Sequence, residues 1–380
     1  MSKLFSPISL RGLTMENRIV VSPMCQYSAE DGSATDWHLM HLGNLALSGP
    51  GLLIIEATGV EARGRITKGC LGLYSDANEA ALARVIGFCR RHGKATIGIQ
   101  LAHAGRKASA QRPWEGRGPL TLEEGAWEAV APSPLSGSSA GSGATTVQGR
   151  AWPTPRMLDR AEMDKVRDAF VAAAQRSDRL GIDLIELHMA HGYLLHSFLS
   201  PVSNQRNDDY GGGIENRMRF PIEVFEAVRA VWPDEKPLGV RISASDWVEG
   251  GWSIADSVVF AREMKARGCD YICASSGGVS EKQKLELGPG YQVPFAERIR
   301  AESGITTMAV GMILEPDYAE SLVVDGKADM VALARGLLYD PRWPWHAAET
   351  LGAEASYPIQ YDRSRPAKWP QAFQTAKAAE

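Results

Sequence analysis

Residues 253–278 read SIADSVVFAREMKARGCDYICASSGG. Ser253 stands where a helix begins, with Asp256 three residues on, and the apolar positions that follow recur at helical spacing as far as Arg267. Tyr271 to Ala274 is a short apolar run of the kind buried on both faces of a parallel sheet, and Ser275-Ser276-Gly277-Gly278 ends it. The same alternation runs through the whole chain. Strands are predicted at 18–23, 52–57, 96–101, 184–188, 239–243, 271–274, 307–310 and 330–334. Helices are predicted at 36–47, 78–92, 160–180, 214–231, 253–267, 294–301, 316–324 and 344–351, the second of them starting at Asn78 ahead of Glu79. Eight strands, each followed by a helix, define an α/β chain that closes as a (β/α)₈ TIM barrel, with an N-terminal hairpin ahead of it. An open doubly wound sheet would show a GxGxxG turn after its first strand, and the chain has none.

The totals agree with one large core. The chain has 380 residues, 44% hydrophobic and 23% charged, as in soluble globular proteins. The formal net charge is -4, with no basic excess to attract nucleic acid. The longest uncharged apolar run, 38–55, carries two His, Asn44 and Pro50, so it reads as helix, turn and strand rather than a bilayer span. Five cysteines without CxxC spacing argue against a disulfide framework or metal ribbon, and the N-terminus lacks a signal-peptide core, so a cytoplasmic setting is expected. No linker divides the chain, and residues 1–380 are expected to form one barrel domain. Residues 131–149, rich in Ser, Gly, Ala, Thr and Pro, are expected to be a flexible inserted loop, and 357–380 a C-terminal tail.

In such a barrel, chemistry sits where strands end. Two groups stand out. Gly277, Gly278, Gly311 and Gly336 cluster at the last three strand ends, followed by Arg335, which suits a phosphate held on bare backbone N–H groups and a guanidinium. The fourth strand ends in His188-x-x-His191-x-Tyr193, where two imidazoles and a phenol can hold an oxygen that accepts charge and supply a proton. Two other readings of that pair stay open: core or capping histidines, and ligands of a metal-dependent hydrolase. His38-x-x-His41 falls on a helix and is read as structural. A phosphate site beside an oxyanion site implies a phosphorylated organic cofactor, since no side chain here transfers a hydride.

Several long motifs in order then make the chain similar to the Old Yellow Enzyme family of FMN-dependent ene-reductases, and most like its thermophilic-like branch, which includes xenobiotic reductases. They are Ser-Pro-Met-Cys-Gln-Tyr (22–27), Gln-Leu-Ala-His-Ala-Gly-Arg-Lys (100–107), His-x-x-His-Gly-Tyr (188–193), Asp-Asp-Tyr-Gly-Gly (208–212), Glu-Asn-Arg (215–217) and Val-Arg-Ile-Ser (240–243). The resemblance implies bound FMN, with NADPH or NADH as hydride donor. By it, Ser22, Pro23, Met24 and Cys25 lie along the flavin ring, Ala57 and Gln100 bond its pyrimidine edge, and Arg241 sits near N1 and O2. Gly311, Ala334 and Arg335 hold the phosphate, with Ser276 and Gly277 nearby. His188 and His191 hold the oxygen of an activated alkene, Tyr193 protonates its α-carbon, and Tyr27 lines the pocket. A flavin-binding protein without this catalysis is the alternative.

The departures also carry expectations. Cys25 stands where many members have Thr, and is expected to tune the flavin potential. Met189 stands where Gly is common, and is expected to narrow or tilt the pocket. Gln360-Tyr361-Asp362-Arg363 resembles an arginine finger that reaches a neighbouring subunit's site, which implies a homodimer or homotetramer.

Overall fold

The computed structural model describes residues 2–137, 146–147 and 149–371. Eight parallel strands close into a barrel: β1 (Ile19–Val21), β2 (Leu52–Gly59), β3 (Thr96–Ala102), β4 (Leu184–Met189), β5 (Leu238–Ser243), β6 (Tyr271–Ser275), β7 (Thr306–Val310) and β8 (Met330–Leu333). Each pairs with its sequence neighbour, and β8 pairs with β1 through Val331 opposite Ile19 and Leu333 opposite Val21. The outer layer includes α1 (Asp36–Ala46), α2 (Asp76–His92), α3 (Arg160–Arg179), α4 (Leu194–Leu199) and α5 (Ile214–Val231). It continues with α6 (Ile254–Ala266), α7 (Val293–Ser303), α8 (Pro316–Val324), α9 (Arg335–Tyr339) and α10 (Trp343–Thr350). Among the described residues no helix is long and apolar enough to cross a membrane.

Period-two alternation sorts the strand residues into two cores. Val20, Leu52, Ile54, Leu184, Tyr271, Cys273, Met308, Val310, Met330 and Ala332 fill the barrel interior. Their neighbours, such as Ile19, Leu53, Ile99, Leu187, Val240 and Ile272, face the helices. The expected hairpin is present as Ile8–Leu10 against Leu13–Met15, and Leu10 and Met15 join the interior cluster from the N-terminal end. Met189 belongs to the outer core and is fully buried there. It lies one residue beyond inward-facing His188, so it backs the barrel wall and does not shape the pocket.

Two local devices aim the site residues. Along β2 the register slips between Ile55 and Ala57: Ile55 pairs with Ile99, and Ala57 with the very next residue, Gln100. This bulge drops Glu56 out of the ladder and shifts the phase of the strand, so Ala57 lines up with Gln100. At α2, Ser75 is the N-cap, its Oγ accepting from the N–H of Asn78 at 3.2 Å. The helix therefore starts two residues before the expected Asn78, whose own amide instead donates to Asp31 and Ser33. Ser253 and Asp256 form the expected reciprocal cap on α6, with bonds of 3.2 and 2.8 Å. The expected insertion 131–149 lies partly outside the described residues. Of the rest, Val130–Ala131 pairs with Arg156–Met157, and Thr146–Val147 with Arg150–Ala151.

Gly239 on β5 lets the Tyr271 ring lie across the barrel interior, since a Cβ there would meet Tyr271 Cε1 at 2.1 Å. Gly239→Ala is expected to cost about 1–3 kcal/mol by overpacking. Equilibrium urea unfolding measures it, and unchanged stability would contradict the close ring contact.

Candidate active site

The C-terminal ends of the strands bring most of the expected residues onto one rim. At the end of β1, the Ser22 N–H donates to Leu333 O at 2.9 Å, while its buried Oγ has no partner among the described residues. Met24 and Cys25 follow, half-buried. Gln26 N donates to Glu56 Oε2 at 3.1 Å, so the carboxylate thrown out by the bulge anchors this segment. Glu56 Oε1 lies 3.3 Å from His38 Nε2, and His38 Nδ1 accepts from Thr35 N at 3.0 Å, so His38 is structural, as expected, and helps to cap α1. Tyr27 takes a left-handed backbone, φ 53°, and packs with Cys25, Ile66, Cys70, Ala104 and Tyr193. Burial, with Cys70 and Glu56 nearby, pushes the Cys25 thiol up, so it stays protonated at neutral pH.

The fourth strand end holds the tightest group. The His188 ring lies 5.2 Å from His191 and 4.9 Å from Tyr193, edge to face in both cases. His188 Nδ1 accepts from the N–H of Ala190 at 3.2 Å, so a neutral His188 carries its proton on Nε2. His191 sits at φ 60°; its N–H donates to Ser243 Oγ at 2.9 Å and its Nε2 is 2.7 Å from Ser275 Oγ. Gly192 N donates to His196 Nδ1 at 2.7 Å, and His196 Nε2 is 3.0 Å from Asp246, fixing the turn from behind. Burial, then the charge of Arg241, holds both His188 and His191 well below the usual imidazole range, so they are neutral donors. Burial holds the Tyr193 hydroxyl well above 10, so it keeps its proton until a strong base forms beside it.

Arg241 is the outstanding cation of the rim. It is 8% exposed, its Nε is buried without a partner, and its guanidinium makes no hydrogen bond or ion pair among the described residues. A buried guanidinium with no bonds in the protein is a group waiting for an acceptor. Arg335, exposed at the start of α9, is likewise without a hydrogen bond or ion pair among the described residues. Tyr291 lies within the electrostatic reach of both arginines. The β6 end behaves differently from its neighbours. Ser276 Oγ donates to Gln292 Oε1 at 2.6 Å, Gly277 N to Ser245 O at 2.8 Å, and Gly278 N to Gln283 Oε1 at 2.7 Å. Those donors are engaged inside the protein, which leaves Gly311 (φ 124°), Ala334 and Arg335 as the core of the expected phosphate cluster.

Two buried charged residues were given no role from the sequence: Lys107, within the motif 100–107, and Glu186, within the predicted strand 184–188. Lys107 is fully buried and donates from Nζ to the carbonyls of His191, at 2.8 Å, and of Gly278, so it ties the ends of β4 and β6 together. Glu186 is fully buried inside the barrel. The signal for both was available: a charged residue within an apolar strand or beside a strand end is costly unless partnered. Arg363 is not part of this cluster within one chain. It is exposed on the turn Ile359–Ser364, which is held to α10 by Trp345 against Tyr357 at 4.4 Å and Tyr361 at 6.3 Å.

The residues fit an FMN. The unpartnered Ser22 Oγ and Arg241 Nε, and the free guanidinium of Arg335, are what a ring with a polar edge and a phosphate tail would engage. A parallel barrel with these groups on its C-terminal rim defines a flavin-dependent oxidoreductase. The chain belongs to the NADH:flavin oxidoreductase / NADH oxidase family, whose pattern matches residues 3–354. It is similar to the NADPH dehydrogenase of Geobacillus thermodenitrificans (strain NG80-2), 44% identical over 364 residues that cover 95% of this chain and 98% of that protein. Among solved structures it is similar to morphinone reductase in complex with tetrahydroNAD, 27% identical with a TM-score of 0.73 over 94% of this chain and 93% of that one. An old yellow enzyme homologue from Zymomonas mobilis shares the fold, with a TM-score of 0.74 at 23% identity over 93% of this chain and 94% of that one. The chain is thus an NAD(P)H:flavin oxidoreductase of the Old Yellow Enzyme type, with FMN as cofactor.

Burial, then the charge of Arg106, lowers Lys107 from its ordinary 10.5 to about 7. The unfolded chain keeps this proton up to the ordinary value, whereas the folded chain releases it near 7, so unfolding takes up a proton in between. Stability from this group therefore rises with pH from about 7 to about 10. Urea unfolding across that range should show a steeper rise for the parent than for Lys107→Met. Equal slopes would contradict it.

Proposed function

We propose that the enzyme reduces the activated C=C bond of α,β-unsaturated carbonyl or nitro compounds. The observation that carries this reading is the convergence of His188, His191 and Tyr193, neutral donors with rings about 5 Å apart, on the rim that holds the unpartnered Arg241. A bound FMN would supply hydride transfer, from NADPH or NADH as donor to the β-carbon of the acceptor.

The side chains do the rest. His188 and His191 hold the carbonyl or nitro oxygen. Hydrogen bonds from both rings strengthen as charge builds on that oxygen, which is the condition for lowering a barrier rather than only binding substrate. Loss of one such donor typically costs about 3 kcal/mol of transition-state stabilisation. Tyr193 gives its proton to the α-carbon, which balances the hydride delivered to the β-carbon. Burial keeps the phenol protonated until the carbon acquires enolate character. Tyr27 lines the substrate side. Ser22, Pro23, Met24 and Cys25 run along the ring, and Ala57, Gln100 and Arg241 meet its pyrimidine edge. Gly311, Ala334 and Arg335, with Ser276 and Gly277 behind them, hold the phosphate. Arg363 completes the substrate site of a neighbouring subunit in a homodimer or homotetramer.

Stopped-flow kinetics separate the steps. Tyr193→Phe should slow flavin reoxidation by cyclohexenone by about a hundredfold or more, the lower bound for a lost general acid, with reduction by NADPH largely intact. Equal reoxidation rates would remove Tyr193 from this role. Arg363→Ala should raise KM for the alkene with little change in the NADPH half-reaction, and unchanged steady-state kinetics would remove the arginine from the site.

A further inference from the structure

Glu186 is a buried carboxyl that the proposed reaction leaves unused. It points into the barrel from β4, and both its oxygens are taken. Gln100 Nε2 donates to Oε1 at 2.7 Å, and the Tyr271 hydroxyl donates to Oε2 at 3.2 Å. The strand register creates this group. Glu186 lies directly opposite Gln100 on β3 and opposite Gly239 on β5. Because Gly239 has no side chain, Tyr271 reaches over it from β6. Burial pushes the Glu186 carboxyl up, while the charge of Arg241, two residues further along β5, pulls it back down without forming an ion pair. A carboxylate only accepts, so the Gln100 amide turns its NH₂ to Glu186 and its oxygen away.

We infer that Glu186 is a positioning residue for the cofactor's pyrimidine edge: it holds the Gln100 amide with Oε1, an acceptor, toward the pocket beside the Arg241 guanidinium, a donor. The inference rests on the proposal that Gln100 and Arg241 meet that edge. An acceptor next to a cationic donor complements an imide N–H next to a carbonyl, the pattern of the flavin pyrimidine ring. With the amide turned the other way, two N–H groups would oppose each other. Gln100 and Tyr271 satisfy the carboxylate, so Arg241 stays unpaired and available. A glutamine at 186 offers both a donor and an acceptor and no longer dictates which way Gln100 faces.

The test measures FMN dissociation constants from flavin fluorescence on dilution of the holoenzyme, for the parent, Glu186→Gln, Gln100→Leu and the double variant. Glu186→Gln and Gln100→Leu should each weaken FMN about tenfold, the effect of one lost hydrogen bond near 1.4 kcal/mol. The double variant should bind no more weakly than Gln100→Leu alone. Multiplying losses would overturn the positioning role while leaving the pyrimidine-edge reading intact. FMN affinity unchanged in Gln100→Leu would overturn both. A second measurement needs no variant at position 186 to fold. FMN methylated at N3 should bind the parent at least about tenfold more weakly than FMN, and equal binding would overturn the inference. In Glu186→Gln this preference should shrink toward one, which a general loosening of the barrel would not produce.

Discussion

Pairing of Met330–Leu333 with Ile19–Val21, the last strand with the first, is the contact on which the site depends. It turns a sheet with two edges into a ring without any, so every strand finishes on the same rim. Only then do Ser22, Ala57, Gln100, His188, Arg241 and Arg335, spread over more than 300 residues of chain, become neighbours. Closure also gives the barrel an inside. Inward positions there are apolar below and polar above, and the change from one to the other falls at the level of Glu186, Gln100 and Tyr271.

Much of this was legible in the chain. The strands were readable because runs such as Leu52–Gly59 and Tyr271–Ser275 are buried on both faces and open on an unbroken apolar stretch, 52–55 and 271–274. Strand ends named most of the candidate residues, because a parallel barrel gives those ends one shared location. Helix starts were readable where one residue both caps and precedes an apolar pattern, as Ser253 does. They were misread where a better cap lay just upstream, as with Ser75 ahead of Asn78.

What could not be read depends on distance between strands. Period-two counting from Leu184 places Glu186 and His188 inside and Met189 outside, so the side of Met189 was available locally. The bulge at Glu56 leaves no mark in composition, yet it decides which β2 residues face Gln100. The link from Tyr271 to Glu186 requires knowing that Gly239 stands between them, a fact of register. Likewise nothing local shows that the Lys107 ammonium ends on the carbonyls of His191 and Gly278, 84 and 171 residues away. Resemblance named the rim residues but said nothing of the groups holding them.

The short hairpin at the N-terminus has a kinetic consequence. Leu10 and Met15 cover the bottom of the barrel, opposite the rim that carries the site residues. In the proposed reaction, an electron donor and an electron acceptor that both need that rim would use the same doorway in turn. A molecule seated in it blocks its counterpart, so the two reactants compete for one form of the enzyme. Double-reciprocal plots for such a one-door enzyme are parallel, and excess acceptor slows turnover by occupying the door before the donor has arrived.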